Sequence, residues 1–168
     1  MSEHENLITQ HIPRLRRYAR ALTGDRNAAD DLVQDTLERA LSRLHLWREG
    51  SDLRAWLFTI MHNVHVNQIR SRMRRIVESL DETSSEALQA PEPDWAELRD
   101  IDDALLRLPA EQRSVLLLVG LEQFTYEETA RVLEIPLGTV MSRLSRGRER
   151  LRVMLTGDPR STTLKVVK

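Results

Sequence analysis

No cysteine occurs in the 168 residues, which excludes disulfides, thiolate metal sites and thiol-based redox sensing by the chain itself. Aromatic residues make up only 4%, and glycine and proline number six each. A sandwich or barrel of many short strands needs more of all three at its turns and packed faces, so these values argue against such folds. The longest uninterrupted apolar stretch, Val115 to Leu121, is seven residues including Gly120, whereas a membrane-spanning helix needs about 20. The opening Met1-Ser2-Glu3-His4-Glu5 is acidic where a secretory signal is basic and then apolar. The expectation is a soluble, cytoplasmic chain without membrane insertion. What is present is 40% hydrophobic residues, enough for the core of one medium domain or two small ones, and mostly at helical spacing.

The formal net charge is −1, which by itself points to no polyanion. Its distribution does. Arg54, Arg70, Arg72, Arg74 and Arg75 fall in a stretch with no acid. Eight acids then lie between Ile76 and Asp100, against Arg99 alone. Arg143, Arg146, Arg148, Arg150 and Arg152 follow near the end, against Glu149. Two basic helices around an acidic connector fit two nucleic-acid-binding modules joined by a linker. A set of solvated helix faces is the bland alternative.

Ile8, Ile12, Leu15, Ala19 and Leu22 mark a first helix, with Pro13 as a possible kink and Thr23-Gly24-Asp25 as its end. Asn27 is the expected cap of a second helix whose inward stripe is Ala29, Leu32, Val33, Thr36, Leu37, Ala40 and Leu44. Ser51 or Asp52 caps a third, with Leu53, Trp56, Leu57, Ile60 and Val64 inward, running into the basic residues to Arg75. Residues 77–93 have no apolar periodicity and read as a mobile linker, so the two halves are expected to move relative to each other. Asp94 and Glu97 have capping-box spacing and open a fourth helix with Leu98, Ile101, Leu105 and Leu108 inward. Pro109 is expected as the first residue of a fifth. Thr125 and Glu128 form a second capping box, and a turn at Pro136/Gly138 leads into a final helix to about Leu155. The tail 156–168 shows no pattern.

Thr125 to Leu144 therefore reads as a helix-turn-helix, with Ala130 at the crossing of its two helices. Its turn lacks the glycine often found after the first helix, since Glu134 and Ile135 occupy that stretch. Thr139, Ser142, Arg143, Arg146 and Arg150 remain on the outer face of the second helix, the element that enters a major groove in such units. Arginine is the natural donor to guanine, and arginines further along suit phosphates. An ordinary helical hairpin with a charged face is the alternative.

Three blocks then resemble one family. Ala29-Asp30-Asp31-Leu32-Val33-Gln34-Asp35-Thr36, Leu53 to Asn63, and Leu108-Pro109-Ala110-Glu111-Gln112-Arg113 with Gly138 to Leu144 resemble bacterial RNA polymerase sigma factors of the extracytoplasmic-function (group IV) class. These keep only sigma regions 2 and 4. The resemblance implies an all-α fold of two small helical domains: region 2 over 1–76, a linker over 77–93, region 4 over 94–155 and a tail. It implies that Asp31, Gln34 and Asp35 dock on core RNA polymerase at the β′ clamp helices, with region 4 on the β flap. It further implies that Asn63, Asn67, Arg70 and Arg72 serve the −10 element, with a flipped base held near the loop His45 to Ser51. Thr139, Ser142, Arg143, Arg146 and Arg150 would serve the −35 element. An anti-sigma factor is the further partner the family implies, beside promoter DNA. Trp56 is read as core.

No enzyme is indicated: there is no Gly-rich phosphate loop and no nucleophile–base constellation, hence no catalytic residue and no cofactor. His62 and His65 are not an i, i+4 metal pair, and no metal is expected. A stand-alone helix-turn-helix regulator is the alternative function, disfavoured by the polymerase-docking block. A sigma mimic that only sequesters a regulatory protein is a third, disfavoured by the retained arginines.

Overall fold

A computed structural model describes residues 2–80 and 101–157. Most of the expected linker, Asp94, Leu98 and the tail beyond residue 157 lie outside these. The described residues are helical: α1 Glu3–Thr23, α2 Arg26–Ser42, a 3-10 turn Leu44–Leu46, α3 Leu53–Leu80, α4 Ile101–Leu106, α5 Ala110–Leu116 continuing as a π-helical turn Leu117–Leu121, α6 Tyr126–Leu133 and α7 Leu137–Thr156.

The caps explain where the first three helices begin. Ser2 and Glu5 form a reciprocal capping box at α1. At its other end Gly24 takes φ 68° and returns its N–H to Arg20 O. A Cβ there would also strike the Leu106 side chain, so the position needs glycine for its conformation and for space. α2 is capped by Asp25, not Asn27: the Asp25 carboxylate accepts from Asn27 N–H and Ala28 N–H, both at 3.3 Å. Asn27 thus sits inside the first turn. Asp52 caps α3 by accepting from Ala55 N–H at 3.2 Å.

Ile8, Leu15, Tyr18, Ala19 and Leu22 of α1 close over Ala29, Leu32, Val33, Thr36 and Ala40 of α2 and Leu57, Phe58, Ile60, Met61 and Val64 of α3. Trp56 is half-buried and packs against this core. α3 runs to Leu80, four residues past the expected boundary at 76. No glycine or proline occurs between Gly50 and Pro91, so nothing breaks the helix at residue 76, and an overhanging helix needs no core stripe to announce itself.

The second half is built on α5 and α7. Gly147 of α7 is buried, and a Cβ there would come within 3.0 Å of Leu116 Cδ1 and 3.3 Å of Gln112 Cβ. Small size at this crossing sets how closely the helices approach. Pro109 is the cap of α5, one residue outside it. Leu105 and Leu108 are buried as expected, but Ile101 is 54% exposed.

In the structure the two halves are packed together. Their buried side chains form one continuous apolar cluster. Phe58 lies edge-on between Tyr18 (5.2 Å) and Phe124 (5.3 Å). Burial raises the Tyr18 hydroxyl pKa, and that hydroxyl is hydrogen-bonded to Ser114 of α5. Arg113 of α5 reaches back to donate to Leu22 O at 3.0 Å. The composition of residues 77–93 carried no information on whether the bodies on either side attract each other.

Candidate nucleic-acid and polymerase interfaces

The helix-turn-helix follows from local chemistry. Thr125 Oγ1 accepts from Glu128 N–H at 3.1 Å, and the Glu128 carboxylate accepts from Thr125 N–H at 2.9 Å, fixing the start of α6. Its end is Glu134, in the left-handed region at φ 55°, with Ile135 N–H donating to Ala130 O at 3.0 Å. A glutamate here does the work usually given to glycine. Thr129 is fully buried, while Ala130, the residue expected at the crossing, is half-buried. The Thr129 hydroxyl is satisfied within its own helix by Thr125 O at 2.8 Å, which lets a polar residue fill that place.

On α7, Val140, Leu144, Gly147 and Met154 face inward. Thr139, Ser142, Arg143, Arg146 and Arg150 share one flanking face, at i, i+3, i+4, i+7 and i+11. Arg146 and Arg150 are exposed; Thr139, Ser142 and Arg143 are half-buried. Ser142 Oγ donates back to Thr139 O at 3.2 Å. Arg143 Nη2 lies 3.8 Å from Glu111 Oε2, a contact loose enough for a stronger acceptor to replace.

On α3, Asn63, Asn67 and Arg70 are exposed along one face. Arg72 does not join them. It stands half a turn from Asn63 and lines a cleft between α2 and α3 with Asp25, Asn27, Asp31 and Arg75. Arg54 departs further from the expected basic surface. Its guanidinium stacks on Phe124, 4.1 Å from the ring centroid, and donates to Glu122 O at 3.1 Å. It is an interdomain residue.

Asp31, Gln34 and Asp35 are all exposed on α2, on two shoulders of the helix. Asp31 and Asp35 lean toward α3, where Gln68 Nε2 donates to Asp35 Oδ2 at 3.0 Å. Gln34 leans toward α1 and lines a groove with Arg16, Arg20, Arg26 and Leu41. The loop before α3 is anchored by Trp47, against which His4 packs edge-on at 5.5 Å. Leu46 there is 67% exposed.

Sequence reasoning missed Arg113 and Glu122. Arg113 donates to four carbonyls: Leu105, Leu106 and Leu108 at the end of α4, and Leu22 at the end of α1. Glu122 is a buried carboxylate in the segment after α5. Nothing local marks either role, because their partners are backbone or lie about a hundred residues away. Among the described residues no group of three or more His, Cys, Asp or Glu side chains is placed to hold a metal ion, and no helix is long and apolar enough to cross a membrane.

Residues 8–62 match the family described as the Sigma2 domain of PhyR, and residues 98–151 match Sigma-70, region 4. Over 153 residues the chain is 40% identical to the ECF RNA polymerase sigma factor EcfG of Rhodopseudomonas palustris, spanning 90% of this chain and 84% of the relative. The chain belongs to the ECF sigma factors. A second relative, the ECF sigma factor SigL of Mycobacterium tuberculosis, is 37% identical over 89% of this chain and 86% of its own length. Among solved structures, the sigma factor RpoE of Bartonella quintana, crystallised with the anti-sigma factor NepR, superposes with a TM-score of 0.78 at 35% identity. It covers 94% of this chain and 99% of that one. This sigma factor is accordingly a non-enzymatic transcription initiation factor whose region 4 is a DNA-binding helix-turn-helix.

Proposed function

We propose that α2 is the main polymerase-docking element, that α3 reads the −10 element, and that α7 reads the −35 element. The observation that carries this is the division of exposed polar side chains. Acids and an amide crown α2, paired asparagines lie along α3, and arginines line the outer face of the second helix of a helix-turn-helix. Core RNA polymerase meets α2 through its β′ clamp helices and region 4 through its β flap, in the cytoplasm. An anti-sigma factor is the regulatory partner; the complexes solved for a similar sigma factor support this.

Docking through α2 has a direct test. Asp31→Lys with Gln34→Ala places a cation and removes an amide where a complementary surface is expected, and like-charge contacts at interfaces are costly. Association of the full chain with core polymerase should weaken by about tenfold or more, while its binding to a −35 duplex is unchanged. Co-purification with core at wild-type yield would sink the assignment.

Readout by α7 divides by position. Arg143 lies nearer the helix N-terminus, the end that approaches base edges, and Arg150 lies where the helix leaves the groove. Arg143→Ala should relax preference at one base pair of the −35 element by about 1–3 kcal/mol. Arg150→Ala should weaken all promoters alike and lower the salt slope by about one unit. Asn63→Ala should change neither but slow opening at the −10 element. Binding to single-base promoter variants at two salt concentrations separates these. Uniform weakening by Arg143→Ala would make it a phosphate contact.

A further inference from the structure

We propose that this sigma factor holds itself closed through an intramolecular latch centred on Glu122, and that releasing the latch is a step in promoter engagement. The inference rests on the reading above that α3 and α7 serve the two promoter elements.

The segment that carries the latch is built unusually. After α5 the backbone widens into a π-helical turn, with Glu122 N–H donating to Leu117 O at 3.0 Å. Gln123 then takes φ 59°, and Phe124 N–H reaches back to Leu118 O at 3.0 Å. π-turns of this kind are uncommon and gather at functional sites. Here the result is to drive two inward residues of region 4, Glu122 and Phe124, toward region 2.

Phe124 supplies apolar closure against Phe58. Glu122 supplies the opposite. Its side chain is wholly buried, yet its carboxylate has a single charge partner: Oε1 lies 3.2 Å from Nη2 of Arg17 on α1, which is itself 53% exposed. Its other oxygen, Oε2, is buried with no hydrogen-bond partner. An apolar side chain of similar size would serve plain packing better, since a half-satisfied buried carboxylate opposes burial. Opening the halves returns both oxygens to water. The closed state is therefore held by apolar contact and by Arg17, Arg54 and Arg113, and undermined by the half-satisfied carboxylate among them, which makes it reversible.

Closure is incompatible with reading both elements at once. In the closed chain α3 packs against α6, the first helix of the helix-turn-helix, so the −10-reading helix lies beside the unit that carries α7. Elements at −10 and −35 are about 25 base pairs apart, roughly 85 Å of duplex. A compact body of this many residues is about 40 Å across. The halves must part.

The absence of native cysteine allows the test to be made on the full chain. Ser42→Cys and Ser145→Cys, both exposed, carry a spin-label pair, and the interlabel distance distribution is measured in the free protein. The unaltered latch should give one short distance. Arg17→Ala leaves the buried Glu122 carboxylate without its ion-pair partner, with Arg54 still held on the Glu122 carbonyl, and should move most of the population to long, broad distances. Promoter complex formation with limiting core polymerase should speed up several-fold. Adding Glu122→Gln to Arg17→Ala removes the orphaned charge and should restore the short distance and the slower rate. Thermal melts confirm that each variant is folded. Long, broad distances without any substitution, or no response to Arg17→Ala, or no rescue by Glu122→Gln, would each overturn the latch. Failure of the unaltered protein to direct initiation would instead strike the promoter-reading assignment, while the distances still decide the latch.

Discussion

Arg113→Ala is expected to lower the stability of this sigma factor by about 3–4 kcal/mol, or roughly 10 °C in Tm. The guanidinium donates through Nε to Leu105 O (2.8 Å), through Nη1 to Leu22 O (3.0 Å), and through Nη2 to Leu106 O (2.7 Å) and Leu108 O (2.8 Å). These are carbonyls at the ends of two helices, where the last turn has no intrahelical donors and the helix dipole is negative. One cation thus caps α4 and α1 together. Its removal leaves several carbonyls short of a donor, although Leu105 O keeps a 3.2 Å bond from Leu108 N–H, so the loss falls below the sum of four charged bonds. Arg113→Lys should recover only part, because an ammonium has three donors and no planar fork. Chemical denaturation of the three proteins measures this. A loss under about 1 kcal/mol for Arg113→Ala would mean that water replaces the guanidinium at little cost.

The same residue shows where sequence reading stops. Arg113 was legible as part of Leu108-Pro109-Ala110-Glu111-Gln112-Arg113, a block that resembles region 4, but its task was not. Every residue offers a carbonyl, so an arginine that serves carbonyls has no partner visible in sequence. The capping box at Thr125 was legible because both members lie three residues apart and the chemistry is local. Asp25 was missed as the α2 cap in favour of Asn27 because both residue types cap helices and only backbone geometry decides between them. The helix-turn-helix arginines were legible as an exposed face, since Val140 and Leu144 fix the inward side. Arg72 was grouped with Asn63 through the family resemblance, and helical phase separates them. Arg54 and Glu122 were misread or passed over for one reason: charged residues are expected outside, and here the contact between two domains takes them in. The family matches bear out the fold and the function. Whether the assigned side chains touch polymerase and DNA depends on surfaces that only a partner completes.

Acidification should destabilise the protein through His65 by an amount approaching that of Arg113→Ala. His65 is 6% exposed on the inner side of α3, and neither ring nitrogen has a hydrogen-bond partner. Burial, and then the positive charges of His62, Arg72 and Arg113, hold its pKa down at about 4, against an ordinary 6.5. The direction of the effect follows from proton uptake. Above about pH 6.5 the imidazole is neutral in both folded and unfolded chains, and this group contributes no slope. Between about pH 6.5 and 4 the unfolded chain binds a proton that the folded chain refuses, so stability falls by about 1.4 kcal/mol per pH unit. The total is on the order of 3 kcal/mol, and below about pH 4 the dependence on this group ends. His65→Leu keeps the volume and removes the titration, so its stability should exceed that of the unaltered protein increasingly as pH falls through this window. His11 and His62, whose pKa values burial also lowers, remain in both proteins and cancel in the comparison. Arg113→Ala removes one of the cations facing His65 and should raise its pKa, which can be followed by the imidazole proton resonance. Denaturation curves at several pH values decide the matter: equal slopes for His65→Leu and the unaltered chain would show that the imidazole finds a proton acceptor or solvent in the folded state.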